Sequence, residues 1–241
     1  MIKGIAIDVS GYLASYRILG SITTQNTYSV PPRTALIGMA AAMVGVWRSP
    51  KEKRIFQRSR IYDEINSDTK VALKVRMSNI HKYVDYVNYR NIKEKSKYGQ
   101  VKPVSVEFIT NPKYTIMYWS ENKKVDKLLQ LIKGKREFFK ATLGNNEYPA
   151  VIESVREVEV SKLKKDRILT EYVTDSSMIT RIVSGENYIV EKLPRKIEVD
   201  ERGKVKLESR EYIVPLNTKI EVNLRDKHSV YKVGDGYFVP L

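Results

Sequence analysis

Hydrophobic positions near the start of the chain alternate with polar or small ones. Ile5, Ile7 and Val9 alternate with small or polar residues, which predicts a first strand with one core face. The same period returns in residues 70–77, KVALKVRM, and predicts a second strand. Its polar face is basic and carries Lys70, Lys74 and Arg76.

Two segments have the pattern of helices. Residues 35–45 are small and apolar with almost no polar side, which predicts a nearly buried α-helix ending close to Gly45. Pro31 and Pro32 precede it, and their fixed φ suits a first helical turn. Residues 125–132 have the spacing of an amphipathic helix.

Turn signals divide the remaining strands into pairs. VSVEFI and YTIMYW, separated by residues 110–113, are predicted to pair with each other. Two later hairpins are predicted, in KIEVDERGKVKLE and in VYKVGDGYFV, and Gly144 is predicted to lie at a turn.

This order of elements predicts an α+β protein with two parts. Residues 1–152 are expected to form a ferredoxin-like (RRM-like) domain, because its elements run strand, helix, strand, strand, helix, strand. An insertion of about residues 79–103 is rich in tyrosine and lysine and has the least core-like pattern. Residues 153–241 are expected to form a smaller, β-rich C-terminal region.

Charge narrows the class of ligand. The 241 residues contain 43 lysines and arginines against 28 acidic residues, a net charge of +15. Such a balance favours a polyanion, most often nucleic acid, over a merely basic surface. No cysteine is present and no run is long enough to span a membrane, so we expect a cytoplasmic protein with no membrane partner.

Catalytic patterns are few. The chain has no phosphate-binding loop and no dinucleotide fingerprint, and neither His81 nor His228 has the spacing of a metal ligand. We therefore predict no metal, no cofactor and no catalytic residue. One alternative stays open: His81, Lys82 and Tyr83 contain the residue types of a metal-independent ribonuclease.

Cations and aromatic rings interleave as single-stranded RNA requires, with cations for phosphates and rings for unstacked bases. The predicted phosphate contacts are Arg17, Arg33, Lys74, Arg76 and Lys82, and the predicted stacking rings are Tyr16, Tyr28, Tyr83, Tyr86 and Tyr89. Thr34, His81 and Arg90 complete the predicted RNA-binding set. For the strand at 70–77, a solvated polar face explains the same alternation. Arg33 is expected to point towards RNA from a rigid, proline-stiffened turn.

The run YSVPPRTALIGMAAAMVG, preceded by GYLASYR, resembles the N-terminal signature of the fifth family of CRISPR-associated proteins, in the RAMP superfamily. The matching positions are Tyr16, Arg17, Tyr28, Val30, Pro31, Pro32, Arg33, Thr34, Leu36, Ile37 and Gly38. The resemblance covers residues 1 to about 152, and the sequence of the motif is most similar to that of subtype I-B.

The resemblance implies a subunit of a type I Cascade complex that caps the 5′ handle of CRISPR RNA. Implied partners are the backbone and large subunits, and target DNA is met only through the complex, with sequence read by the guide. It also implies that the insertion at 79–103 is a thumb that contacts RNA. One branch of the family cleaves precursor CRISPR RNA, so endoribonuclease activity is the first alternative and a generic RNA-binding module is the second.

Overall fold

The fold is built mainly from β-strands that pair across long sequence distances. A computed structural model of the chain describes residues 2–19, 24–45, 66–90, 101–120, 124–134, 136–137, 139–199, 205–225 and 229–241. The first strands are β1 (Ile2–Ser10), β2 (Leu13–Ala14), β3 (Thr24–Gln25), β4 (Lys70–Val75), β5 (Lys82–Arg90), β6 (Val101–Thr110), β7 (Lys113–Trp119) and β8 (Val151–Lys164). They are followed by β9 (Arg167–Thr170), β10 (Thr174–Asp175), β11 (Ile179–Ser184), β12 (Tyr188–Val199), β13 (Val205–Pro215), β14 (Ile220–Leu224), β15 (Ser229–Val233) and β16 (Gly236–Phe238).

The longer helices of the described ranges are α1 (Arg33–Met43) and α2 (Lys124–Lys133), with a short 3-10 turn at Ser176–Met178. The described part of the chain is thus mainly β, with fewer helices than the α+β class expected from the sequence. The excess of strand comes from the insertion and from the C-terminal part, both of which are built of β-structure. Within these ranges, no helix has the length and apolar character needed to cross a bilayer.

A six-stranded antiparallel sheet, ordered β16-β15-β8-β1-β7-β4, forms the centre of the molecule. We call it the main sheet. Four of its strands and both helices follow the chain order β1, α1, β4, β7, α2, β8, and these strands lie side by side as β8-β1-β7-β4. Three-stranded sheets, β10-β13-β12 and β11-β14-β9, are built by the C-terminal part.

Both faces of the main sheet carry a cluster of buried hydrophobic side chains. Ile5 and Ile7 of β1 lie in the larger core, which includes buried residues of α1 and α2. Alternate positions of the same strands face the other way, where Trp119 packs with Tyr231 and Phe238 at ring-centroid distances of 5.3 Å each. Tyr231 and Phe238 belong to β15 and β16, so the C-terminal strands of the main sheet itself bury this part of the face, together with Tyr172.

Helix α1 ends close to Gly45, as its sequence predicts, but it begins at Arg33, so Pro31 and Pro32 precede its first turn instead of forming it. Pro32 is its N-cap residue, with φ of −67°, and Val44 and Gly45 close the other end. The amides of Val44 and Gly45 donate to the carbonyls of Ala40 and Ala42, and Gly45 has φ of +79°, which a residue without Cβ adopts readily.

The strand pairings test the hairpin predictions. β12 pairs with β13, and β15 pairs with β16, so both C-terminal hairpins are confirmed. The predicted pairing of VSVEFI with YTIMYW is wrong. β7 pairs with β1 and β4, whereas β6 pairs with β2, β3 and β5, because the chain leaves one sheet for another at Asn111, which has φ of +48°.

The two predicted parts of the chain share a core. A boundary near residue 152 falls at the start of β8, and β8 pairs with β1 on one side and β15 on the other. Leu193, Tyr212 and Val214 of the C-terminal part are buried in the same cluster as Ile5. Packing of this kind makes the N-terminal and C-terminal parts mutually dependent.

Replacing Gly144 with alanine is expected to destabilise the fold strongly. Its φ of +101° is strained for any residue with a Cβ, and that atom would lie 1.9 Å from the carbonyl oxygen of Ser15. Gly234→Ala is the matched control, since its φ is +54° but nothing lies within 4 Å of the new atom. In urea unfolding we expect a loss of about 1 kcal/mol for Gly234→Ala and roughly 3 kcal/mol or more for Gly144→Ala. Equal losses would contradict this account of the turn.

Candidate RNA-binding surface

A hairpin of β5 and β6 lies outside the main sheet and carries exposed aromatic side chains. Its strands pair in antiparallel register from Lys82 opposite Ile109 to Arg90 opposite Val101. Tyr83 is 54% exposed and Tyr86 is 72% exposed. We call it the thumb hairpin; it occupies the insertion predicted at 79–103, of which residues 91–100 lie outside the described ranges.

Glu107 of β6 attaches the thumb hairpin to the N-terminal loop. Its Oε2 accepts a hydrogen bond of 2.9 Å from the amide of Thr27, a fully buried residue, and lies 3.4 Å from Nζ of Lys82. Nζ of Lys82 also donates to the carbonyl of Thr27 at 2.8 Å, and Ser15 Oγ donates to the carbonyl of Glu107 at 3.1 Å. The base of the hairpin is therefore held by hydrogen bonds and by one ion pair.

Two of the predicted stacking rings are core residues. Tyr16 is 4% exposed and packs edge-on against Tyr114 with 6.5 Å between ring centroids. Tyr28 is 9% exposed. Burial raises the pKa of Tyr16 and that of Tyr28. Neither ring presents a face to a base, so the stacking role predicted for them is wrong; the pattern of the loop gave no sign that its tyrosines point inward.

Three of the predicted phosphate contacts have acidic partners. Nζ of Lys74 lies 2.8 Å from Oε2 of Glu171, and Arg76 lies 2.5 Å from Glu153. Lys82 shares Glu107 with the amide of Thr27, as described above. These carboxylates compensate the cations locally, which the alternation of residues 70–77 could not reveal.

Residues 28–34, the turn into α1, are held against the C-terminal part and the start of β4. The guanidinium of Arg33 donates to the carbonyls of Asn66 and Thr69, at 2.8 and 3.2 Å, and to the side chain of Asn66. Thr34 is half-buried in the first turn of α1. Arg33 thus ties the helix start to β4, and its charge lies at the opposite end of β4 from the thumb hairpin.

The other predicted residues are more accessible. Arg17 is exposed and forms a β-bridge with Thr27. His81 is exposed, and its carbonyl accepts from the amide of Thr110 at the hairpin base. Tyr89 and Arg90 lie in β5, and their side chains fall outside the described part.

One exposed aromatic residue was missed by the sequence analysis. Tyr12 is 87% exposed, and its carbonyl accepts from the amide of Asn111, directly beside the end of β6. The signal that could have found it is its position next to Gly11 in a loop between strands. Tyr12, Tyr83 and Tyr86 are exposed rings of this region, and Tyr83 and Tyr86 lie on opposite faces of β5.

No metal site is found among the residues that the structure describes, since they contain no group of three histidine, aspartate or glutamate side chains placed to hold an ion. His228 lies outside those residues. Separately, the exposed rings of Tyr12, Tyr83 and Tyr86 are of the kind on which unstacked bases can stack.

Comparison with known proteins gives a consistent result. The family model for CRISPR-associated protein (Cas_Cas5) matches residues 4–225. A CRISPR protein from Archaeoglobus fulgidus has a similar structure, with a TM-score of 0.62 and 16% identity over 98% of this chain and 98% of its own. A chain of a CRISPR RNA-guided surveillance complex is similar over 92% of this chain and 91% of its own, with a TM-score of 0.56 and 15% identity. Likeness at these identities establishes a shared fold. No curated protein matches the sequence.

The contact between Glu191 and Ser29 predicts a pH dependence of stability. Glu191 Oε1 accepts from the amide of Ser29 at 2.9 Å and from its hydroxyl at 3.1 Å. Burial raises the pKa of Glu191 despite these bonds and the positive charge of Lys82. The folded state therefore binds more protons than the unfolded state above the unfolded pKa, so this group's contribution to stability falls as pH rises through the folded pKa.

Glu191→Gln removes that titration. We expect the free energy of unfolding of the variant, relative to the unmodified chain, to rise from mildly acidic pH to neutral pH. Urea unfolding at several pH values measures it, with Glu186→Gln as the control at an exposed carboxylate. A difference that does not change with pH would contradict the raised pKa.

Proposed function

The chain belongs to the Cas5 family of CRISPR-associated proteins, and from this premise we propose that it is an RNA-binding subunit of a type I interference complex. In this proposal it holds the 5′ handle of CRISPR RNA and assembles with the backbone and large subunits in antiviral defence. It meets target DNA only through the complex. The N-terminal motif favours subtype I-B.

The thumb hairpin is the observation that carries the proposal. Tyr83 and Tyr86 present rings to solvent from a hairpin whose base is fixed by Glu107. Exposed rings of this kind bind unstacked bases at a low entropic cost when the backbone beneath them is already ordered. Single-stranded RNA, such as a handle flanking a guide, provides such bases.

The strand order β8-β1-β7-β4 supports a ferredoxin-like (RRM-like) unit. Because buried side chains occupy both faces of this sheet, the thumb hairpin is favoured over the sheet as the surface that contacts RNA. RRM domains stack bases on aromatic side chains of an open sheet face. Here Trp119, Tyr231 and Phe238 fill that face from within. This observation weighs against the alternative of a generic RNA-binding module that reads RNA on its sheet.

We propose that the subunit binds RNA without cleaving it. The ribonuclease alternative requires His81, Lys82 and Tyr83 to act together on one phosphodiester. Nζ of Lys82 is held by the carbonyl of Thr27 and by Glu107, and Tyr83 follows it on the opposite face of β5. These contacts orient the lysine towards the hairpin base.

Removing the exposed rings is expected to weaken RNA binding. The double variant Tyr83→Ala/Tyr86→Ala loses two stacking surfaces, each worth about 1–3 kcal/mol. Tyr83→Phe/Tyr86→Phe is the matched control, because it keeps both rings and should retain most of the affinity. Fluorescence anisotropy with labelled repeat RNA measures both, with circular dichroism to verify folding. Wild-type affinity in the alanine variant would exclude the thumb hairpin as a stacking surface.

Incubation with precursor CRISPR RNA in EDTA separates binding from cleavage. We expect the RNA to remain intact on a denaturing gel. Site-specific cutting by the unmodified chain that His81→Ala abolishes would instead establish the metal-independent ribonuclease.

A further inference from the structure

A basic groove lies at the end of β4 opposite the thumb hairpin. It encloses about 970 Å³, and its lining includes Arg33, Lys70, Lys162, Arg195 and Lys196. These cations come from α1, β4, β8 and β12, so tertiary packing alone brings them together. Lys70 begins β4 and Val75 ends it, a span of about 17 Å at ~3.3 Å per residue; the groove lies at the first end, and the thumb hairpin follows the second end in the chain.

Three of these cations lack acidic partners within the described part of the chain. Lys70 donates from Nζ to the hydroxyl of Tyr231 at 2.6 Å and lies 4.9 Å from the centre of its ring. No carboxylate of the described residues forms an ion pair with Lys70, Lys162 or Arg195. This differs from the thumb side, where Lys74, Arg76 and Lys82 are each paired.

Arg195 reaches the groove through an irregularity of its strand. The register of β12 against β13 shifts between Pro194 and Lys196, which leaves Arg195 as the extra residue of a β-bulge. A bulge redirects a side chain out of the alternation of its strand. The one acidic side chain known to line the groove, Glu208, lies 3.4 Å from Arg210 and so shares its charge with that residue.

The groove also has the size and walls for a nucleotide. Its volume lies at the upper end of the range for pockets that bind small organic ligands. Met178, Val239 and Pro240 supply apolar surface beside the cations. Guanidinium and ammonium groups around such a surface suit a phosphodiester with its attached base or ribose.

We propose that this groove binds phosphates of the same RNA that the thumb hairpin contacts, as a second and separate RNA site. The inference rests on the proposed function, which supplies RNA as a ligand of the chain. Uncompensated cations attract phosphates and release counterions when they bind, whereas paired cations must first exchange a carboxylate. The groove, rather than the polar face of β4, then provides most of the electrostatic affinity.

The test compares two triple variants with the same loss of charge. Lys70→Gln/Lys162→Gln/Arg195→Gln removes the unpaired cations of the groove. Lys192→Gln/Lys219→Gln/Arg181→Gln removes three exposed cations outside the groove's known lining. Affinity for labelled single-stranded repeat RNA is measured by anisotropy over a series of salt concentrations, with thermal unfolding to verify each fold. The double variant Lys162→Gln/Arg195→Gln keeps the contact of Lys70 with Tyr231 and serves if the triple variant does not fold.

The groove variant is expected to bind RNA more weakly and to flatten the plot of log affinity against log salt by about 2, since three contacts contribute about 0.7 each on a single strand. The control variant should keep most of the slope. If the unmodified chain binds RNA and the groove variant has the same affinity and salt slope, the groove is not an RNA site, while the proposed function is unaffected. Absence of RNA binding by the unmodified chain would overturn both.

A labelled polyglutamate peptide is a second probe. If the groove variant loses affinity for this peptide and keeps its affinity for RNA, the groove is a site for an acidic protein segment and the RNA assignment is wrong.

Discussion

Burial of both faces of the main sheet is the constraint on which the rest of the structure depends. Ile5 and Ile7 lie in the cluster that includes the helices, while on the other face Trp119 of β7 packs against Phe238 of β16. A sheet closed in this way is stable because it removes apolar area from water on both sides. In the described part of the chain, buried side chains occupy both faces near the middle of the sheet, which is why the proposed RNA contacts lie on the hairpin and in the groove.

Electrostatic neighbours decide which of the many cations are available to a polyanion. Lys74 and Arg76 have the strand position expected of a phosphate-binding face, yet Glu171 and Glu153 pair with them. Lys70 lies on the same face of the same strand, and its ammonium group contacts the hydroxyl and ring of Tyr231. A net charge of +15 predicts a polyanionic partner, but it does not locate the binding site.

Local patterns predicted the elements well, and tertiary contacts explain what they missed. The period of two predicted both C-terminal hairpins, and the proline turn predicted the start of α1, because these depend on neighbours in the chain. Tyr16 and Tyr28 were assigned to RNA although packing buries them, and β6 was assigned to β7 although each joins a different sheet. The groove was not predicted at all, since its cations are far apart in sequence and Arg195 enters it from a bulge.

The central claim is that RNA contacts this chain beyond the ends of a closed sheet. Amide hydrogen exchange with and without repeat RNA tests it most directly, because exchange reports each backbone segment separately. The account predicts slower exchange on RNA binding in β5, in β6 and around residues 66–70 and 194–196, with β11 and β14 unchanged. Protection confined to β9, β11 and β14 would contradict it.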